Sequence, residues 1–196
     1  MRLNFFRTIG LLLVAGLLMP AGMLLASETQ GVPAVTSSTT NWYNVEQASN
    51  LFKQMNALAL KARREVGRLQ VQGYEMDWRA QASRLEGAKT DINTIANDLM
   101  QLNEMKNKLE PWQKSLLNKV TPNLHEMVYQ MDAALGRINA HQNRTYLSMT
   151  QYPQNINQIY KNANQMSNTI GTVTQYAQAE QKMAALDKMH STKAGS

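Results

Sequence analysis

The sequence predicts an all-α protein, an elongated antiparallel helical bundle, coiled-coil-like, of three to four long helices. Two patterns carry that expectation. Apolar residues recur at steps of three and four over most of residues 44–189, the period that collects them on one side of a helix, and no segment alternates with the period of two that marks a half-buried strand. Gly73, Pro111 and Pro153 divide these stripes and leave only short connections between them, which favours up-down neighbours. The chain contains no cysteine, so disulfides, thiolate metal sites and cysteine nucleophiles are excluded together and the fold must be held by packing.

The chain opens on Arg2 and Arg7 followed by an uncharged apolar run over residues 9–26, the pattern of a secretory signal peptide. Ala26 suits a cut ahead of Ser27. Leu24 is larger than the residue preferred three places before a cut, so an uncleaved membrane anchor is the competing reading. Either way the body is expected outside the cytoplasm, periplasmic or secreted. Residues 27–43 are small, polar and aperiodic, with Gly31 and Pro33, and read as a disordered leader ahead of a bundle domain spanning residues 44–189.

Asn44, with Gln47 three residues on and Trp42 and Tyr43 before it, has the form of a capping box, so the first helix is expected to start there. Its stripe of Ala48, Phe52, Met55, Ala59, Ala62, Val66 and Leu69 alternates steps of four and three, a heptad seam. Gly73 should turn or kink the chain. A second stripe runs from Trp78 through Leu85, Ile92 and Leu99 to Leu109, a helix on the order of 50 Å at ~1.5 Å per residue. Pro111 lacks an N–H and has a helical φ, so a new helix should begin there, with Lys106 and Lys108 at the carbonyl end of the one before. Thr121 and Pro122 should kink or restart that third helix. A kink is favoured, because Leu116, Val120, Leu124, either Met127 or Val128, and Met131 keep one stripe across it. This helix is expected to reach about Met149. Pro153 then opens a fourth, with Ile156, Ile159 or Tyr160, Ala163, Met166, Ile170, Val173 and Ala177 inward, fading through Met183 and Leu186 into a flexible tail over residues 190–196.

Few residues have the spacing that chemistry requires. His125-Glu126 begins like a zinc-protease helix, but the second histidine would fall where Tyr129 stands. Asp187 and His190 are three apart, without the further inward carboxylates and second histidine of a di-metal bundle. His141 lies near the extension of the third stripe, where a partly buried, hydrogen-bonded role fits better than ligation. The 13 methionines suit irregular core gaps. No convergent acid, base and nucleophile can be named, so the sequence implies neither an enzyme nor a cofactor nor a metal.

The chain carries 20 basic and 14 acidic residues; setting Arg2 and Arg7 aside leaves 18 against 14, too mild a balance for a nucleic-acid surface. Lys61, Arg64 and Arg68 form the densest positive patch, on one face of the first helix, diluted by Glu65. The fourth helix is unusual in another way: between Pro153 and Ala179 its only charge is Lys161, and Asn157, Gln158, Asn162, Asn164 and Gln165 take the outward positions. Such amides can hydrogen-bond across a helix pair without the desolvation cost of ions, which makes Gln158, Asn162 and Gln165 a candidate contact surface.

Pro111-Trp112-Gln113, Pro122 with Leu124, Glu126 and Met127, Ile138-Asn139 with Gln142, and Tyr176 carry a resemblance that covers residues 78–186. In these the chain resembles a family of exported helical proteins with a Pro-Trp-Gln helix junction and no known activity. The resemblance implies an exported helical fold and supplies no active site.

Two functional expectations follow. The first is a non-enzymatic extracytoplasmic module, structural or protein-binding, whose partner is another envelope protein or a second copy. The alternative is a peripheral envelope binder that holds anionic lipid or polysaccharide through Lys61, Arg64 and Arg68, with weak membrane-surface contact.

Overall fold

A computed structural model describes residues 37–194; the expected signal peptide and most of the expected leader lie outside the described residues. Those described form four long helices and one short one: α1 (Ser37–Gln72), α2 (Trp78–Glu104), α3 (Pro111–Ala140), α4 (Arg144–Met149) and α5 (Tyr152–Ala194), with a 3₁₀ turn at Lys106–Lys108 before α3. No strand occurs among the described residues.

The seams behave as their spacing requires. Phe52, Met55, Ala59, Ala62 and Val66 of α1 meet Leu85, Ala88, Ile92 and Ile95 of α2, with Leu116, Val120, Met127, Met131 and Ile138 of α3 and Ile156, Ile159, Ala163 and Met166 of α5, in one core closed to water. The helices form a ring in which α1 adjoins α2, α2 adjoins α3, α3 adjoins α5 and α5 returns to α1. Polar pairs show the directions. Asn56, Arg63 and Gln70 of α1 bond Ser167, Asn164 and Asn157 of α5, one number rising as the other falls, so the two helices are antiparallel. Lys61–Asp91 and Glu65–Arg84 run the same way between α1 and α2. Gly67 permits the close approach of α5, since a Cβ there would stand 3.2 Å from the ring of Tyr160.

Several boundaries differ from the sequence expectation. α1 starts at Ser37, so residues 37–43 are helix rather than leader, and Asn44 is a buried position inside the helix instead of its cap. Nothing after Pro33 breaks a helix, and serine and threonine cost only ~0.5 kcal/mol each relative to alanine. α2 stops at Glu104, shorter than expected, and the 3₁₀ turn carries the chain on to the still-buried Leu109. α3 runs unbroken through Pro122, with no restart there, and Thr121 bonds the Leu117 carbonyl rather than capping. It ends at Ala140 instead of near Met149, because Asn143 opens a new helix by accepting from the N–H groups of Thr145 and Tyr146. His141, expected to be partly buried, is exposed at that break, its ring tilted against that of Tyr146 with the centroids 3.7 Å apart. α5 continues to Ala194, so most of the expected tail is helical.

Gly73 does end α1. A Cβ at Gly73 would fall 2.3 Å from the Leu69 carbonyl oxygen, so the turn requires a residue without a side chain. Asp77 then caps α2 by accepting from the Ala80 N–H at 2.7 Å. Pro111 begins α3 as its fixed φ favours. The adjoining Gln113 is wholly buried: its Oε1 accepts from the Glu110 N–H at 3.0 Å, while its Nε2 donates to the Val45 carbonyl at 3.0 Å and to Ser49 Oγ at 3.2 Å. One side chain thus caps α3 and ties it to α1.

Candidate functional site

The basic patch on α1 is largely neutralised. Lys61 Nζ lies 2.7 Å from Asp91 Oδ1 on α2, and Glu65 is shared between Arg84 at 2.7 Å and Arg68 at 3.6 Å. Arg63 beside them donates to Asn164 of α5. Arg64 is exposed on the same helix. Lys61, Arg64 and Arg68 therefore share a helix but do not gather into one positive surface, because the carboxylates facing two of them come from α2 and from α1 itself.

The amides of α5 divide into two sets. Asn157 and Asn164, read from the sequence as outward, turn to α1, where they bond Gln70 and Arg63. Asn155 is buried against α3, where its oxygen accepts from Arg137 and its amide donates to Gln130. Gln158 and Gln165 are exposed and Asn162 is half-exposed, its Nδ2 donating to the Gln158 carbonyl. These three share the outward face.

That face continues past the amides. From Asn162 the outward positions follow in alternating steps of three and four through Gln165, Thr169 and Thr172. They then become apolar at Tyr176, Ala179, Met183 and Leu186. Tyr176 is 66% exposed, Met183 60% and Leu186 50%, and Met189 nearby is 59% exposed. A second seam with heptad spacing thus runs down the solvent side of α5, opposite the one in the core. From the sequence only its amide half stands out as a surface. The apolar half reads as a fading core stripe, although its own three-four spacing is visible. The register tells them apart: the core positions Ile156, Ile159, Ala163, Met166, Ile170 and Ala177 lead on to Glu180 and Ala184, not to Met183 and Leu186.

α5 also runs past the start of α3. Trp112 there lines a surface hollow with Val45, Ser49 and Lys53 of α1 and Ala177, Gln178 and Gln181 of α5, and every residue from Gln178 to Asp187 is exposed. At ~1.5 Å per residue the 13 positions from Lys182 to Ala194 extend roughly 20 Å beyond that hollow.

At the opposite end, the α1–α2 turn, α4 and the start of α5 enclose a cleft of about 240 Å³ lined by Leu69, Tyr74, Gln81, Leu147, Tyr152 and Ile156 among others, none charged. Gln81 is buried there and spends its Nε2 on the carbonyls of Gly73 and Met76. The Tyr152 hydroxyl is sealed from solvent without a partner, and burial pushes it well above the ordinary phenol range. Of the residues weighed for metal chemistry, His125 is exposed, and among the described residues no three histidine, aspartate or glutamate side chains are grouped to hold a metal ion. Comparison with known proteins finds no family model, no curated protein and no solved structure that matches this chain. Among the described residues no helix is long and apolar enough to cross a membrane.

Proposed function

We propose that this protein is a non-enzymatic helical module that works outside the cytoplasm by protein contact, through the outward face of α5. The observation that carries this reading is the stripe of Tyr176, Met183 and Leu186, each half or more exposed on the outward face of α5. Helices hold their apolar stripes against partners, and large apolar side chains lined up in solvent mark an interaction site. Export rests on Arg2, Arg7 and the apolar run over residues 9–26. The ion pairs of Lys61 and Arg68 weigh against an anionic-surface role, which needs its cations unengaged.

The test is capture from envelope fractions with the protein as bait, beside a Met183→Glu/Leu186→Glu variant. Both changes lie on solvent, so the melting midpoint should hold while capture is lost. A variant that retains every partner would sink the reading. Intact-mass measurement of exported material tests the address, with a chain beginning near Ser27 expected and full-length chain in the membrane fraction contradicting it.

A further inference from the structure

We infer that the outward seam of α5 pairs, parallel and in register, with the same seam of a second copy of this chain. This names the partner of the surface proposed above and rests on that reading. In heptad terms Asn162, Thr169, Tyr176 and Met183 occupy the a positions, and Gln165, Thr172, Ala179 and Leu186 the d positions. All eight turn away from the core, six of them exposed and Asn162 and Thr169 partly so. The seam is about 36 Å long at ~1.5 Å per residue, enough for more than three heptads.

Two features select a second copy and set its direction. The first is the grading of the seam from amide and hydroxyl to apolar. A parallel pair in register sets Met183 against Met183 and Leu186 against Leu186, and brings amide to amide at Asn162 and Gln165. An amide holds donor and acceptor in one group, so two copies across a two-fold axis satisfy each other. An antiparallel pair overlapping along the whole seam would lay Met183 and Leu186 on the amides and forfeit both gains.

The second feature is the flanking charge. Lys182 stands at g, just before Met183, and Asp187 at e, just after Leu186, and both are exposed. In a parallel pair each g residue faces the e residue five places on in the other strand, so Lys182 meets Asp187 of the partner subunit, and the symmetry makes the pair twice. An antiparallel pair sets g against g, where the charged residues on offer are Lys161 and Lys182, both cationic.

The chain has no cysteine, so Ala179→Cys and Thr172→Cys each introduce a single thiol. In a parallel in-register dimer both positions face their own copies, and each variant should give a disulfide-linked dimer on mild oxidation. An antiparallel dimer can do so at no more than one of them. Sedimentation equilibrium of the unmodified protein should show a dimer, Lys182→Glu should weaken it about tenfold, and adding Asp187→Lys should restore it. A monomer up to about 1 mM, cross-linking at only one position, or a charge swap that fails to restore association overturns the pairing. So does a dimer indifferent to Met183→Glu. A monomer that still captures an envelope partner through Met183 removes the second copy and leaves the protein-contact reading standing, whereas captures that ignore Met183→Glu remove that reading itself.

Discussion

Replacing Gln113 should loosen the joint between α3 and α1 more than any other polar substitution in the bundle. Gln113→Ala removes one buried methylene, about 0.8 kcal/mol, together with the carboxamide. It also strips the Glu110 N–H of its acceptor, which costs about 1 kcal/mol at the low end of the usual range because Glu110 is half-exposed and water can reach it. The Val45 carbonyl keeps its bond from Ser49 Oγ at 2.8 Å and adds nothing. The total is roughly 2 kcal/mol, or a melting midpoint lower by about 4–8 °C for a domain of this size. Gln113→Glu keeps the methylenes and the acceptor for Glu110 but turns an oxygen toward the Val45 carbonyl in a site closed to water. It should therefore cost at least as much as alanine at neutral pH, and less in acid, where the new carboxyl protonates and can donate. Thermal unfolding followed by circular dichroism at pH 7 and pH 4 measures both. A shift under about 2 °C for alanine, or a glutamate variant milder than alanine at pH 7, would refute the claim that this amide anchors the joint.

Three further outcomes are expected. Asp98 on α2 is buried with its Oδ2 unpartnered, and burial raises its carboxyl above the ordinary 3.8. The folded protein therefore binds a proton that the unfolded chain has already released, and this group's contribution to stability falls as pH rises from 3.8 through its folded value. Asp98→Asn should raise the melting midpoint at pH 7, with the gain shrinking toward pH 4; a lower midpoint at pH 7 would contradict this. Trp112 is half-buried, its Nε1–H donating to Glu110 and its ring 6.4 Å from Phe52, so Trp112→Ala should cost about 2 kcal/mol in urea unfolding rather than the roughly 3–5 of full burial. Tyr152→Phe removes only the orphaned hydroxyl and should leave the protein as stable or up to about 1 kcal/mol more so, and a loss in the same urea titration would mean that the hydroxyl has a partner.

The core was legible because each seam is local: Phe52, Met55, Ala59 and Ala62, or Leu116, Val120 and Leu124, share a face through helical geometry alone. Pro111 and Gly73 were legible for the same reason, since a missing N–H or a missing Cβ acts within its own turn. Helix ends were less so. Ser37, Glu104 and Ala140 mark places where neither the capping-box pattern at Asn44 nor the stripe running past His141 outweighed other local bonds, such as the Asn143 cap. On the outward face of α5 the exposure of Gln158 and Gln165 was legible, and that of the apolar half was not, because Met183 and Leu186 look like core until the register of α5 is known.

By itself the sequence determined the helical period, the apolar seams and the breaks at Gly73 and Pro111. These are properties of residue type and spacing. Only the tertiary structure decided which helices are neighbours. It thereby decided that Lys61 is held by Asp91 thirty residues away, that Asn164 serves Arg63 of α1 rather than solvent, and that Gln113 reaches Val45. Each of these depends on the order of helices around the ring, and no periodicity within one helix encodes the rotation of another against it. The outward seam of α5 belongs to both accounts: its spacing is written in the chain, and its exposure follows from which side of α5 the core takes up.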